Sequence, residues 1–337
     1  MNSNISRIKF ALCSNLTYGH FFCTTPCMIN PLKRFYGIAN FLMGALFTLM
    51  LVSQFAFRKD GRNAAMDKQI WYNPALPAQL SFAGEKVPLD RWDVREKLDR
   101  EVLFNYYNQG YILFLIKLTN RYFPVISERL KANGVPDDFK YLCIAESNIQ
   151  YWAVSHSGAV GYWQFLNCTG SGYGLETDAQ VDQRQDLERS TDAACIYFKQ
   201  AHARFGNWTA AAASYNCGIG GYNTHAAFQR TMNYYDLQLP EETNKYIFRI
   251  LAIKYLLENA SDLGFVVSDE EKYQTVPCRN VTVSSTIPNL AAFAIQNGTT
   301  YKILKLMNPW IQGKSLKTIN GKTYTIRLPL NKIYSKN

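Results

Sequence analysis

One run of residues limits this chain before anything else does. From Phe35 to Phe57 the sequence reads FYGIANFLMGALFTLMLVSQFAF, without a charged residue. At about 1.5 Å per helical residue, such a run outspans the ~30 Å apolar layer of a bilayer. It has no polar face, so a membrane segment fits it better than a buried core helix. Lys33 and Arg34 precede it and Arg58, Lys59 and Arg62 follow, which leaves orientation open. A cleaved secretory signal has a shorter apolar stretch and a small-x-small site. Leu51-Val52-Ser53 is a poor match to that site, so an uncleaved anchor at 35–57 is favoured over a cleaved signal. No cysteine follows the run closely, which speaks against a lipoprotein anchor. Residues 1–34 read as a polar, aperiodic leader carrying Cys13, Cys23 and Cys27, and Met28 would open a more ordinary start. Residues 58–85, rich in Asn, Ala, Pro and Gln, read as a linker.

Beyond the linker the pattern turns helical. Val94, Leu98, Val102 and Tyr106 recur every four residues, and Tyr111–Leu118 continues that segment. Further helices are predicted at Tyr122–Ala132, Asp137–Ser147, Leu187–Phe205, Trp208–Tyr215 and Glu242–Asn259. Asn133-Gly134 closes the first of these, and Pro136 with Asp137 and Asp138 suits the first turn of the next. With 47% hydrophobic residues a large core is available, so disorder is excluded. Eight cysteines in 337 residues, with no paired metal-ligand spacing, exclude a small disulfide scaffold and make a zinc site unexpected. Cys143, Cys168, Cys195 and Cys217 are expected to be mostly buried thiols. No metal or cofactor is expected.

The predicted helix ending at Ser147 carries the chemistry. Phe139, Leu142, Cys143 and Glu146 fall at i, i+3, i+4 and i+7, which puts one carboxylate on the apolar stripe. A poorly solvated carboxyl group keeps its proton toward neutral pH and can give it to a leaving oxygen. Alone, Glu146 would read better as the solvent edge of an amphipathic helix. It is followed, however, by Ala153-Val154-Ser155 and Gly158-Ala159-Val160-Gly161-Tyr162-Trp163-Gln164-Phe165. Then come Tyr173-Gly174-Leu175, Ala213-Ser214-Tyr215-Asn216-Cys217-Gly218 and Leu239-Pro240-Glu241-Glu242-Thr243-Asn244-Lys245-Tyr246.

In these ordered blocks, over roughly Val135 to Leu257, the chain resembles the soluble-lytic-transglycosylase-like family, close to its membrane-bound lytic murein transglycosylase D group. The resemblance implies a mainly α protein with a lysozyme-like helical catalytic domain over 86–270. It implies an enzyme that cleaves peptidoglycan glycan strands between N-acetylmuramic acid and N-acetylglucosamine and leaves a 1,6-anhydro sugar. Glu146 would be the single acid, then base. Ser155, Gln164, Tyr215, Asn216 and Glu242 would contact or line the substrate groove, with Tyr246 packing or lining beside them. Where the family often has a groove methionine, this chain has Leu166. A hydrolytic muramidase would need a second carboxylate, for which Glu242 is the motif candidate. A non-catalytic peptidoglycan-binding scaffold is the remaining alternative, and the joint presence of Glu146, Gln164, Tyr215 and Asn216 speaks against it. The expected place is the bacterial cell envelope, periplasmic and tethered to the inner or outer membrane, or released after signal cleavage.

The remaining residues have plainer readings. Gly158, Gly161 and Gly174 are expected to serve backbone turns, and His156 a surface loop. Of Trp152, Trp163 and Trp208, at least two are expected in the core. Glu176, Asp178, Asp182, Asp186 and Glu188 are expected to form a solvated face. In the tail, a strand at Asn280–Val283, helices at Ile287–Gln296 and Tyr301–Met307 and a strand at Lys322–Leu328 give a βααβ order. With Asn308-Pro309 and the closing Tyr-Thr-Ile-Arg-Leu-Pro, residues 278–330 resemble a LysM peptidoglycan-binding module, a small α+β unit. The net charge of +10 is uneven: residues 1–62 carry +6, 63–277 carry −5 and 278–337 carry +9. The excess thus brackets the apolar run and fills the tail. No basic-aromatic recognition motif occurs, so nucleic acid is not an expected partner.

Overall fold

The structure is a computed structural model that describes residues 42–50, 72–319 and 321–331. It divides into two units, 1–71 and 72–337. Of the first, the described part is a helix, α1, at 42–50, where the Thr48 hydroxyl donates to the Gly44 carbonyl at 2.8 Å. Both ends of the Phe35–Phe57 run, the leader and the first half of the linker lie outside the described residues. Among the described residues, no helix is long and apolar enough to cross a membrane.

The second unit opens with a minimal hairpin, β1 (Ser81–Phe82) and β2 (Glu85–Lys86), turned at Ala83-Gly84 with both residues at positive φ. Seven helices follow: α2 (Trp92–Tyr107), α3 (Gln109–Ala132), α4 (Phe139–Ser147), α5 (Asn167–Gly172), α6 (Leu187–Phe205), α7 (Trp208–Gln229) and α8 (Glu241–Glu258). The protein is mainly α, as expected. Helix α8 is the central rod. Tyr246, Ile247, Phe248, Ile250, Leu251 and Ile253 are all buried, which leaves it only a narrow polar stripe through Glu242, Lys245 and Arg249. Side chains build several of the start signals. Asp186 accepts from the Glu188 and Arg189 amides to cap α6. At the start of α7 the Glu85 carboxylate accepts from the Trp208 and Thr209 amides at 2.5 and 2.9 Å, where the helix dipole favours an anion.

Several element boundaries differ from the sequence reading. The break between the first two long helices falls at Asn108, and α3 then runs unbroken through Pro124. Helix α7 continues past Tyr215 to Gln229, interrupted at Gly218, whose φ of 79° and ψ of 150° are not helical. The first tail helix starts at Leu290, because Asn289 caps it and Ile287 instead pairs with Leu316.

The tail is the expected α+β unit. Strands β3 (Cys278–Val283) and β4 (Tyr324–Pro329) pair antiparallel, with Val281 opposite Ile326, and α9 (Leu290–Gln296) and α10 (Tyr301–Met307) lie between them in sequence. A separate apolar core holds it together, formed by Leu290, Leu304, Ile311, Leu316, Ile326 and Leu328. The helical part contributes to that core too: Val181, 1% exposed, is one of its members and pairs with Ile311.

The acidic run is not a solvated face. Asp182 and Asp186 are 7% and 6% exposed. Glu176 binds Lys322 at 2.5 Å and accepts from the Tyr324 hydroxyl at 3.0 Å. Arg327 reaches Glu188 at 2.7 Å and Asp186 at 3.7 Å. Part of the tail's positive charge therefore faces the helical domain and not an external polymer. Sequence periodicity could not show this, because the partners are more than 130 residues apart.

Candidate active site

Glu146 stands on the last turn of α4, on the stripe it shares with buried Phe139, Leu142 and Cys143. Its side chain is half-buried and densely surrounded by protein. Burial pushes its carboxyl group up to about 7, against a partial pull downward from a Tyr246 hydrogen bond and from Arg249. The Tyr246 hydroxyl, from the core of α8, donates to the Glu146 Oε1. The charge of Glu146 in turn helps to hold the phenols of both Tyr246 and Tyr215 well above their usual range, burial being the larger cause. The acid is therefore poised close to neutrality by its surroundings.

The backbone around Glu146 is tightly specified. Past Ser147 the chain turns through Asn148 and Ile149, both at positive φ, a region that costs a β-branched residue in particular. The Tyr111 hydroxyl donates to Asn148 Oδ1 at 2.8 Å. The Ser147 hydroxyl donates to the Tyr162 carbonyl at 2.7 Å, tying the end of α4 to the Gly158–Phe165 block.

That block is a folded loop. Val160 pairs with Val154 and Phe165, and the Gly161 amide donates to the Ala153 carbonyl at 3.0 Å. Gln164, itself at positive φ, turns its amide nitrogen inward to the Ala153 and Gly161 carbonyls at 3.1 and 2.9 Å. Ser155 Oγ accepts from the Ala159 amide at 3.0 Å. These two predicted residues thus shape the loop. Tyr215 crosses from α7 and donates to the Trp163 carbonyl at 2.8 Å.

Asn216 is exposed and is tied to α8, its Oδ1 accepting from the Thr243 hydroxyl at 2.7 Å. Glu242 is exposed and paired with Arg249 at 2.9 Å, close enough for its charge to raise the acid of Glu146 slightly. Glu146, Tyr215, Tyr246, Arg249 and Glu242 therefore act on one another. Arg249 was not among the sequence candidates. It follows Glu242 by two helical turns on the same face of α8, the spacing that could have revealed it. Tyr111 carried no signal before α3 and α4 were packed.

Of the three tryptophans, one and not two is fully in the core. Trp163 is fully buried, donating to the Thr191 hydroxyl, and Trp208 packs half-buried against His202, while Trp152 is 60% exposed beside the loop. His156 is exposed. Cys143 and Cys195 are buried, Cys217 is half-buried and Cys168 is exposed. Among the described residues, no group of three or more His, Cys, Asp or Glu side chains could hold a metal ion.

Residues 123–237 match the family described as transglycosylase SLT domain, and residues 279–332 match the soluble lytic transglycosylase C-terminal LysM-like domain. The chain carries both domains and is homologous to lytic murein transglycosylases. In particular, it is 27% identical over 274 residues to the membrane-bound lytic murein transglycosylase D of Escherichia coli, covering 78% of this chain and 57% of that protein. The chain thus spans little more than half the length of this curated relative. Among solved structures it is similar to the 70 kDa soluble lytic transglycosylase of Escherichia coli, at 18% identity, over 53% of this chain and 33% of that one, with a TM-score of 0.37. A lytic transglycosylase of Pseudomonas aeruginosa is also similar, at 21% identity, over 45% and 26% of the two chains, with a TM-score of 0.35.

Proposed function

We propose that this protein is a lytic transglycosylase of the bacterial cell envelope that cleaves the glycan strands of peptidoglycan. In this reading the helical domain occupies 86–270 and the LysM-like module 278–330. Glu146 is the acid and then the base. As the acid, near pKa 7, it protonates the glycosidic oxygen between N-acetylmuramic acid and N-acetylglucosamine. The bond to C1 breaks, and the sugar's own N-acetyl group stabilises the cation. The glutamate left behind then takes the proton of the C6 hydroxyl as that oxygen attacks C1. The attacking group is tethered, with an effective molarity on the order of 10⁵ M or more in well-oriented cases, so the product is a 1,6-anhydro sugar. Ser155, Gln164, Tyr215 and Asn216 line or shape the groove, and Tyr246 steadies the carboxylate between the two steps.

One observation carries this reading. A hydrolase of the usual kind needs a second carboxylate to activate water or attack C1. Glu242 is the candidate, and Arg249 holds it in an exposed ion pair. That arrangement supports intramolecular attack over hydrolysis. The test is digestion of purified peptidoglycan with mass spectrometry of the released muropeptides. Anhydro ends are expected. Reducing ends would assign hydrolysis, and pelleting without release would assign a binding scaffold.

The pH dependence has a definite sign. The first step needs Glu146 protonated, so activity is expected to fall as pH rises through about 7. The Tyr246 hydroxyl stabilises the charged form. Tyr246→Phe removes that donor, raises the acid further and is expected to move the alkaline limb to higher pH, with a severalfold lower kcat. A limb that moves to lower pH would show that Tyr246 does not act through Glu146.

A further inference from the structure

We propose that the C-terminal module braces the active site: by pinning Asp182 it sets Arg184, and Arg184 holds the Gly161–Phe165 segment beside Glu146. The path is continuous. The Asp182 amide donates to the Trp310 carbonyl and the Gln312 amide to the Gln180 carbonyl, both at 2.7 Å. The Lys317 amide donates to Gln180 Oε1 at 2.9 Å, and Val181 is sunk in the module's core. The segment 180–182 is thus paired into the module along one backbone edge and by one side-chain hydrogen bond.

From there the path turns toward the site. Asp182 grips Arg184 through both carboxylate oxygens, at 2.9 and 2.8 Å, and neither side chain is more than 10% exposed. A bidentate pair fixes the guanidinium plane. Arg184 Nη1 donates to the Phe165 carbonyl at 3.2 Å, and the Arg184 carbonyl lies directly against Gly161. Both ends of the segment are therefore held by one residue. Between them lie the two carbonyls that serve Glu146's neighbours. The Tyr162 carbonyl accepts from Ser147, and the Trp163 carbonyl accepts from Tyr215. The ion pairs of Glu176 with Lys322 and of Glu188 with Arg327 keep the module seated.

Arg184 touches no substrate in this scheme and is a positioning residue. Displacing a site by about 1 Å can cost up to ~10²-fold in rate, so a mis-set segment should lower kcat more than it raises KM. This inference rests on the lytic transglycosylase reading for its rate readout, but its structural readout does not.

The experiment uses the full chain and two independent variants. Arg184→Gln is expected to reduce kcat on the order of tenfold with KM within about twofold, and to speed amide hydrogen exchange at residues 160–165. Arg327→Glu breaks the seat from the module side and is expected to do the same more weakly. Adding Glu188→Arg to Arg327→Glu restores an opposite-charge pair and should recover both readouts, which a general loss of stability would not. If Arg184→Gln does not fold, the Arg327 pair decides alone. Wild-type kcat, or wild-type exchange at 160–165 with faster exchange confined to the module, overturns the brace. An inactive wild-type protein whose exchange still responds at 160–165 would leave the brace standing and overturn the enzymatic reading.

Discussion

Glu146→Gln is expected to lower muropeptide release by about 10³-fold or more while leaving the protein folded and, above neutral pH, more stable. The two effects have one cause. General acid–base transfer contributes ~10²–10⁴-fold, and here one group performs both transfers, so its loss removes both. Glutamine is nearly isosteric and still accepts the Tyr246 hydrogen bond, so packing on α8 is kept. The stability effect follows from linkage. The folded-state acid is near 7, above its ordinary value of 4.5, because burial disfavours the charge. Below 4.5 both states are protonated and nothing is lost. As pH rises toward 7 the unfolded chain ionises first, and the folded state loses stability relative to a neutral amide. Each unit of such a shift is worth about 1.4 kcal/mol, and partial solvent access reduces that, so a gain of roughly 1–3 kcal/mol is expected above neutrality. Denaturant midpoints at acid and alkaline pH, beside the release assay, measure it. An inactive variant that is also less stable at both pH values would mean that the lost function comes from structural damage.

Which parts of this site a sequence can show is decided by range. The stripe Phe139, Leu142, Cys143, Glu146 lies within one helix, and periodicity placed it correctly. The exact span of α6 was legible for the same reason, since Asp186 caps it and Gly206 ends it in a left-handed turn. The break at Asn108 was not, because no proline marks it and the apolar pattern runs across it. The predicted start at Tyr122 failed for a related reason: α3 runs on from Gln109 through Tyr122 and Pro124 without a break. The acidic run gave the plainest error. Five acids within thirteen positions look like a solvated surface until Lys322, Tyr324 and Arg327 arrive from the far end of the chain. Ser155 and Gln164 were picked out by motif, and the structure places both in the loop beside Glu146. Their present hydrogen bonds to the loop backbone depend on how that loop closes.

Gly161→Ala is expected to destabilise the protein by about 3–5 kcal/mol, whereas Gly158→Ala should cost only about 1 kcal/mol. Both glycines sit at nearly the same left-handed φ, +85° and +82°, so the intrinsic conformational cost of a Cβ is alike. Their surroundings differ. A Cβ on Gly158 would meet nothing within 4 Å, while one on Gly161 would lie 2.1 Å from the Arg184 carbonyl oxygen. That neighbour is backbone and cannot swing away as a side chain could. It also belongs to the residue held by Asp182 and bonded to Phe165, so relieving the clash means moving the loop or breaking the buried pair. Denaturant unfolding of the two single variants and the double variant separates the contributions. Equal costs at the two positions would mean that the Arg184 backbone yields freely, and a loop that yields there could not hold the Tyr162 and Trp163 carbonyls in place beside Glu146.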